Sequence, residues 1–225
     1  MKTPRRFVPR LVSRFLRRIG VSERGVAAVE FALIAPILLT TLLYGSEMAW
    51  YMMVNLRVSQ VTLQAADNAS RIGDTSTLTN RKIYEGDIND VMLGAHLDGG
   101  NTLNLLSNAR VIVSSLEVNS AGKQYIHWQR CKGLKNVVSS YGVQGDLKPS
   151  GIGPAGQEVT APVGDGVIFV EVIYDYKPLV SSALISNKTI KSTAAFNVRD
   201  SRDLTQVYQT SPAGTVASCS TFTAS

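Results

Sequence analysis

The sequence predicts an α+β protein. A long N-terminal helix, apolar enough to cross a membrane, continues into a head built on an antiparallel sheet. Three observations carry that expectation. Residues 26–46, VAAVEFALIAPILLTTLLYGS, hold a single charge, Glu30. Beyond them Tyr51, Val54, Val58, Val61, Ala65, Asn68 and Ile72 follow a 3-4 spacing, apolar at all but one position, which marks one face of a helix. Much later, Val167–Tyr176 and Ile190–Val198 alternate with period two, the mark of strands with one buried face.

The first element is a basic leader, residues 1–25. The chain has 225 residues with 23 Lys+Arg against 17 Asp+Glu, a net of +6. Lys2, Arg5, Arg6, Arg10, Arg14, Arg17, Arg18 and Arg24 against Glu23 give the leader +7, which leaves residues 26–225 at −1. The basic character is therefore local, and it does not describe a nucleic-acid-binding surface. Interleaved Phe7, Val8, Leu11, Val12, Phe15, Leu16 and Ile19 would let the leader lie on anionic lipid as an amphipathic helix.

The span comes next. Its 21 residues extend about 31 Å as a helix, close to the ~30 Å hydrocarbon core of a bilayer. Two alternatives stand beside it: a buried helix of a soluble core, which seldom runs this long without a polar face, and a cleaved secretory signal. The apolar run is long for a signal, and Tyr44-Gly45-Ser46-Glu47 is a poor exit for that cleavage. Positive charge before the span and only Arg57 between residues 47 and 70 predict a cytoplasmic N-terminus and an external head.

Glu30 is the informative residue, because a carboxylate inside a span costs about 2.5–3.5 kcal/mol on insertion scales. One reading lets it reach the headgroups from its place near the start of the run. The other pairs it with a cation inside the membrane, and cleavage after Gly25 would create one, the α-amino group of Val26.

At RGVAAVEFALIAPILL, residues 24–39, the chain resembles the TadE-like proteins of tight-adherence (Tad/Flp) pilus systems, pilin-like members of the type IV pilus superfamily. Gly25, Glu30 and Phe31 occupy the positions of that family's processing and assembly segment. Leu63–Arg71 resembles the alanine-rich end of its long helix, and Phe169–Leu179 its C-terminal strand. The resemblance implies processing after Gly25 by a membrane prepilin peptidase, with this chain as substrate. It implies a Glu30 that meets the Val26 amine of a neighbouring subunit. It also implies other pilin or pilin-like subunits, an inner-membrane assembly platform and the lipid bilayer as partners. Phe31 stands where major Flp pilins commonly carry Tyr, and the chain is far longer than they are. The greater length points to a minor pilin or pseudopilin.

The helix is expected to continue through 47–72, with Pro36 as a kink inside the span. Its seam is expected to pack on the head, with its upper part open to a reading as an inter-subunit surface. The head, residues 73–203, should carry short helices around Tyr84–Leu97 and Leu103–Ser107. A hairpin should follow, from Arg110–Val118 through Asn119-Ser120-Ala121-Gly122 to Lys123–Arg130, and then the two alternating strands. One sheet face should be buried, against the helix. The Gly- and Pro-rich stretch 139–166 reads as a long loop, either plain surface or a partner contact. Residues 204–225 read as a Ser/Thr-rich tail, partly disordered.

Cys131 and Cys219 would lie on the oxidising side, where they either pair or remain two thiols. His96 and His127 are the only histidines, and His127 beside Trp128 reads as a packed or surface imidazole. Asp87, Asn89, Asp90 and Asp98 lack the spacing of a calcium loop. With no catalytic, metal or cofactor motif, the expectation is a non-enzymatic assembly protein of the inner membrane with a periplasmic head, open to incorporation in an extracellular pilus. The alternatives are an uncleaved membrane-anchored assembly factor and a membrane-tethered binding or enzymatic domain served by the Gly-rich loop.

Overall fold

A computed structural model describes residues 23–74, 80–185 and 188–224, with side chains from Gly25 onward. The first 22 residues of the leader lie outside the described residues. The chain divides into two compact units, Met1–Met48 and Ala49–Ser225.

Helix α1, Glu23–Ala69, is a single α-helix of 47 residues. Within the first unit its apolar side chains, from Val26 to Tyr44, are exposed except for the part-buried Ala35. Pro36 lies inside the helix, and lacking an N–H it leaves the carbonyl four residues earlier without its usual donor. The next turn adds side-chain bonds instead. Thr40 Oγ1 donates to the Pro36 carbonyl at 2.7 Å and Thr41 Oγ1 to that of Ile37 at 2.8 Å, so both hydroxyls find partners without water.

In the second unit the same helix changes character. Val54, Val58, Val61 and Ala65 are buried, the last three at no more than 1% exposure. The seam follows the 3-4 spacing up to Ala65 and then departs from it. Asn68 is exposed, while Thr62, Ala66, Ala69 and Ser70 are buried. A strict 3-4 pattern averages 3.5 residues per turn against 3.6 in the helix, so the buried stripe drifts by ~20° per heptad. The helix also ends at Ala69, three residues before Ile72, because the chain turns there: Ser70 N–H still donates to Ala66 and Arg71 N–H to Asn68.

Helix α2, Glu85–Leu103, starts with the Asp87 carboxylate accepting the Tyr84 N–H at 3.0 Å. Its regular part stops at Gly100, and α3, Leu105–Asn108, follows the left-handed Asn104. Four strands form one antiparallel sheet in the order β2-β1-β3-β4: β1 Ala109–Val118, β2 Gln124–Lys132, β3 Gly166–Asp175 and β4 Thr189–Asn197. The β1–β2 turn is closed by Asn119, whose Oδ1 accepts the N–H groups of Ala121 and Lys123. Gly122 supplies the left-handed φ of +72° that the turn needs. A β-bulge between Ser115 and Leu116 shifts the register, so that His127 has no partner on β1.

The sheet is buried on both sides, which corrects the expectation of one covered face. On the helix side lie Val111, Val113, Ile168, Val170, Val172 and Tyr174. The ring of Tyr51 in α1 meets that of Tyr176, just beyond β3, edge-on at 5.0 Å. On the other side Leu116, Ile126, Val167 and Phe169 pack with Ile152, Ala161, Val159 and Tyr141, all from the Gly-rich stretch. That stretch is a core cover, held down by a two-way bridge between Ile152 and Val159. Gly151 permits it: a Cβ there would sit 2.2 Å from the Val159 carbonyl oxygen. The alternation in β1 and β3 is of two apolar faces, which composition alone does not separate from one.

Residues 204–224 are fastened along the head. Tyr208 bridges Tyr84, Ala217 accepts from Cys131 N–H and Thr223 from Gly133 N–H. Their Ser/Thr content predicts a loose tail because it ignores these long-range backbone bonds.

Candidate functional site

The residues that sequence reasoning singles out lie at the start of α1. Gly25 is in its first turn, with nothing within 4 Å of the place a Cβ would occupy. Val26 is 58% exposed, Phe31 72%, and Glu30 and Pro36 are also exposed. Val26 and Glu30 are four residues apart, so they share a helix face, separated by one turn, or about 6 Å along the axis. Gly25 lies among the first N–H groups of the helix, which have no intrahelical acceptor. From Val26 to Leu43 the surface is almost wholly apolar: Val29, Leu33, Ile34, Ile37, Leu38, Leu39 and Leu42 all remain more than half exposed. α1 is long and apolar enough to cross a membrane, and the apolar window that qualifies it is entirely unburied. Among the described residues such a surface has no partner, and it calls for one outside the fold.

A sequence model of one known family matches this segment. Residues 25–67 match the model of the TadE-like proteins. The match takes in Gly25, Val26, Glu30, Phe31 and Pro36 and runs to the buried seam of the head, so the TadE-like segment is the helix α1 almost to its end. That family belongs to tight-adherence pilus systems and is structural rather than enzymatic. The apolar TadE-like helix is suited to be a single-pass membrane anchor. No curated protein and no solved structure matches the chain.

The head carries buried charges that sequence reasoning missed. Glu85, at the start of α2, is 3% exposed and takes both Nε and Nη2 of Arg130 from β2. Glu117, also 3% exposed, accepts Ser115 Oγ at 2.6 Å and His127 Nδ1 at 2.8 Å. The hydrogen bond to Glu117 raises the His127 pKa above the usual imidazole value, against the opposing effect of burial. Glu171 on β3 accepts Ser139 Oγ at 2.7 Å and the Ser140 N–H at 3.2 Å, which fastens the Gly-rich stretch. The bulge at His127 brings the imidazole to Glu117; an unbulged hairpin register would have set it opposite Ser115. These groups are engaged with one another, and no group of three or more His, Cys, Asp or Glu among the described residues could hold a metal ion.

Arg202 is 7% exposed, and its Nη2 donates to the carbonyls of Ser70 at 3.2 Å and Ile72 at 2.8 Å, just past the end of α1. A cation there complements the negative end of the helix dipole. Burial pushes its pKa down to about 10, still well above neutrality. Cys131 and Cys219 form a disulfide that spans 88 residues and joins β2 to the fastened tail. Beside it is a cavity of about 440 Å³ lined by Val137, Val143, Gln144 and Val216 among others. On its wall Gln144 Oε1 accepts from Gln129 N–H and Arg130 Nη1.

Proposed function

We propose that this chain is a pilin-like structural subunit, a minor pilin or pseudopilin, of a tight-adherence pilus or secretion system. A prepilin peptidase cleaves it after Gly25, the N-terminus faces the cytoplasm and the head faces the periplasm. The observation that supports this reading best is the exposure of residues 26–43, Ala35 apart, an apolar surface with no partner among the described residues, inside the segment that matches the TadE-like family.

The mechanism is assembly. The span packs among the spans of other pilin-like subunits on the inner-membrane platform, and Pro36 sets a bend in it. Cleavage would leave Val26 with a free ammonium group. A parallel neighbour staggered by about one helical turn, 6 Å, brings its ammonium level with Glu30. Each charge is costly alone in hydrocarbon, and pairing them offsets part of that cost while fixing the stagger.

Terminal peptide mass spectrometry of the protein from cells with an active peptidase is expected to start at Val26. A terminus at Met1 would instead favour an uncleaved membrane-anchored assembly factor. Glu30→Gln is expected to abolish incorporation into sheared filaments while the head melts as before; normal incorporation would remove the register role.

A further inference from the structure

The two edges of the sheet are treated differently. β2 is closed along its outer side by the chain itself. Ile126 N–H donates to Asp146, Gly145 N–H to Ile126 and Lys148 N–H to Gln124, while Gln144 Oε1 takes the Gln129 N–H. Further along, Cys131 N–H donates to Ala217 and Gly133 N–H to Thr223. On β4 nothing comparable occurs among the described residues.

The ladder identifies which groups are left. Tyr176 N–H donates to the Lys188 carbonyl and Val198 N–H to that of Gly166, at the two ends of the β3–β4 register. Antiparallel pairs exchange bonds at every second residue, so Ile190, Ser192, Ala194 and Phe196 face β3. Thr189, Lys191, Thr193, Ala195 and Asn197 turn their N–H and C=O groups outward. Among the described residues no backbone bond reaches these outward groups. Proteins normally blunt such an edge with charge, proline, a bulge or a cover. From Ser192 to Asn197 this edge has none of them, and its residues from Ser192 to Phe196 are half-buried.

We infer that the β4 edge is a strand-addition site for an extended, acidic segment of a partner protein. Charge selects the chemistry. Lys188 and Lys191 flank the start of β4, and Lys177 and Lys188 line a groove of about 440 Å³ that runs onto Thr189. Neither Lys177 nor Lys188 has an ion-pair partner among the described residues; the Asp175 carboxylate beside them is taken by Lys135 and Thr189. A partner strand gains main-chain bonds from the five outward residues, places carboxylates near these lysines, and sets apolar or β-branched side chains beside Ile190 and Phe196. A second copy of this chain does not fit. Its own β4, Thr189–Asn197, carries Lys191 and no carboxylate, so it cannot supply the acidic segment.

The test places a photo-cross-linking amino acid at Asn197, or at Lys132 on β2 as control, in the full-length protein in the cells that make it. An adduct is expected at Asn197 and not at Lys132, and its partner peptide, mapped by mass spectrometry, should carry Asp or Glu within an extended segment. Thr193→Pro removes one outward N–H and spares the β3 ladder, so it should cut the adduct at least tenfold, as should the Lys188→Glu/Lys191→Glu double variant. Hydrogen exchange of β1 and β3 checks that each variant folds, and Ala195→Pro replaces Thr193→Pro if that one does not. No adduct at Asn197, an adduct to a second copy of this chain, or one indifferent to both kinds of variant would overturn the inference.

Discussion

Helix α1 contains two solutions to one problem. Its lower part, residues 26–44, is apolar around nearly the whole circumference and, Ala35 apart, exposed; its upper part, from Val54 to Ala69, buries one apolar stripe and leaves Leu56 and Leu63 exposed among polar residues. In the upper part the polar residues of the other face, such as Ser59, Gln60 and Gln64, tell water where to stay. The lower part has no such face, which suits it to surroundings that are apolar on every side. The difference teaches that burial in this molecule is supplied from two sources, the head for one stretch and an external phase for the other. The sequence states which is which before any contact is known.

That contrast can be broken most forcefully at the disulfide. The Cys131→Ala/Cys219→Ala variant frees the tail from β2 across a separation of 88 residues, and the chain-entropy model puts the loss at about 4–5 kcal/mol. Urea unfolding in detergent micelles, followed by Trp50 and Trp128 fluorescence, should show it as a lower midpoint. An unchanged midpoint would mean that the tail is held by its backbone bonds alone. A sharper and smaller test compares two alanine substitutions on the one helix. Val58→Ala in the buried seam should cost the head about 2 kcal/mol, whereas Leu38→Ala in the exposed span should leave head unfolding where it was. Equal effects would erase the division between the two parts.

The smallest expected effect concerns the head by itself. Because the hydrogen bond to Glu117 raises the His127 pKa, the stability it contributes is complete below the ordinary imidazole value of about 6.5 and is lost as pH rises through the raised folded value. Wild-type protein should therefore melt at a lower temperature at pH 9 than at pH 6. His127→Gln should flatten that decline, and an identical pH profile would show that the pair carries no linkage.

What could be read from the sequence follows from how far each signal reaches along the chain. Gly25, Glu30 and Phe31 lie within seven residues, and β3 announces itself through Ile168, Val170, Val172 and Tyr174. The hairpin turn is marked by Asn119 and Gly122, which act on their immediate neighbours. The features that escaped depend on distant partners. Glu85 needs Arg130, Glu117 needs a bulge to receive His127, and the second sheet face needs Ile152 and Ala161 from a stretch whose glycines disguise it as plain loop. The end of α1 belongs with these: it is set by the chain's turn at Ser70 and by Arg202, and Ile72 gives no local sign of it.

Arg202 also has a bearing on how the protein comes to be made. It closes a helix whose last residue lies 133 positions earlier, and the strands that cover the seam emerge between the two. A chain delivered N-terminus first must therefore hold Val54, Val58 and Val61 uncovered until at least β3 has followed. Such late, long-range closure slows folding and exposes the unfinished chain to association. The interval between the emergence of α1 and the arrival of β3 is when the newly made protein is most open to association.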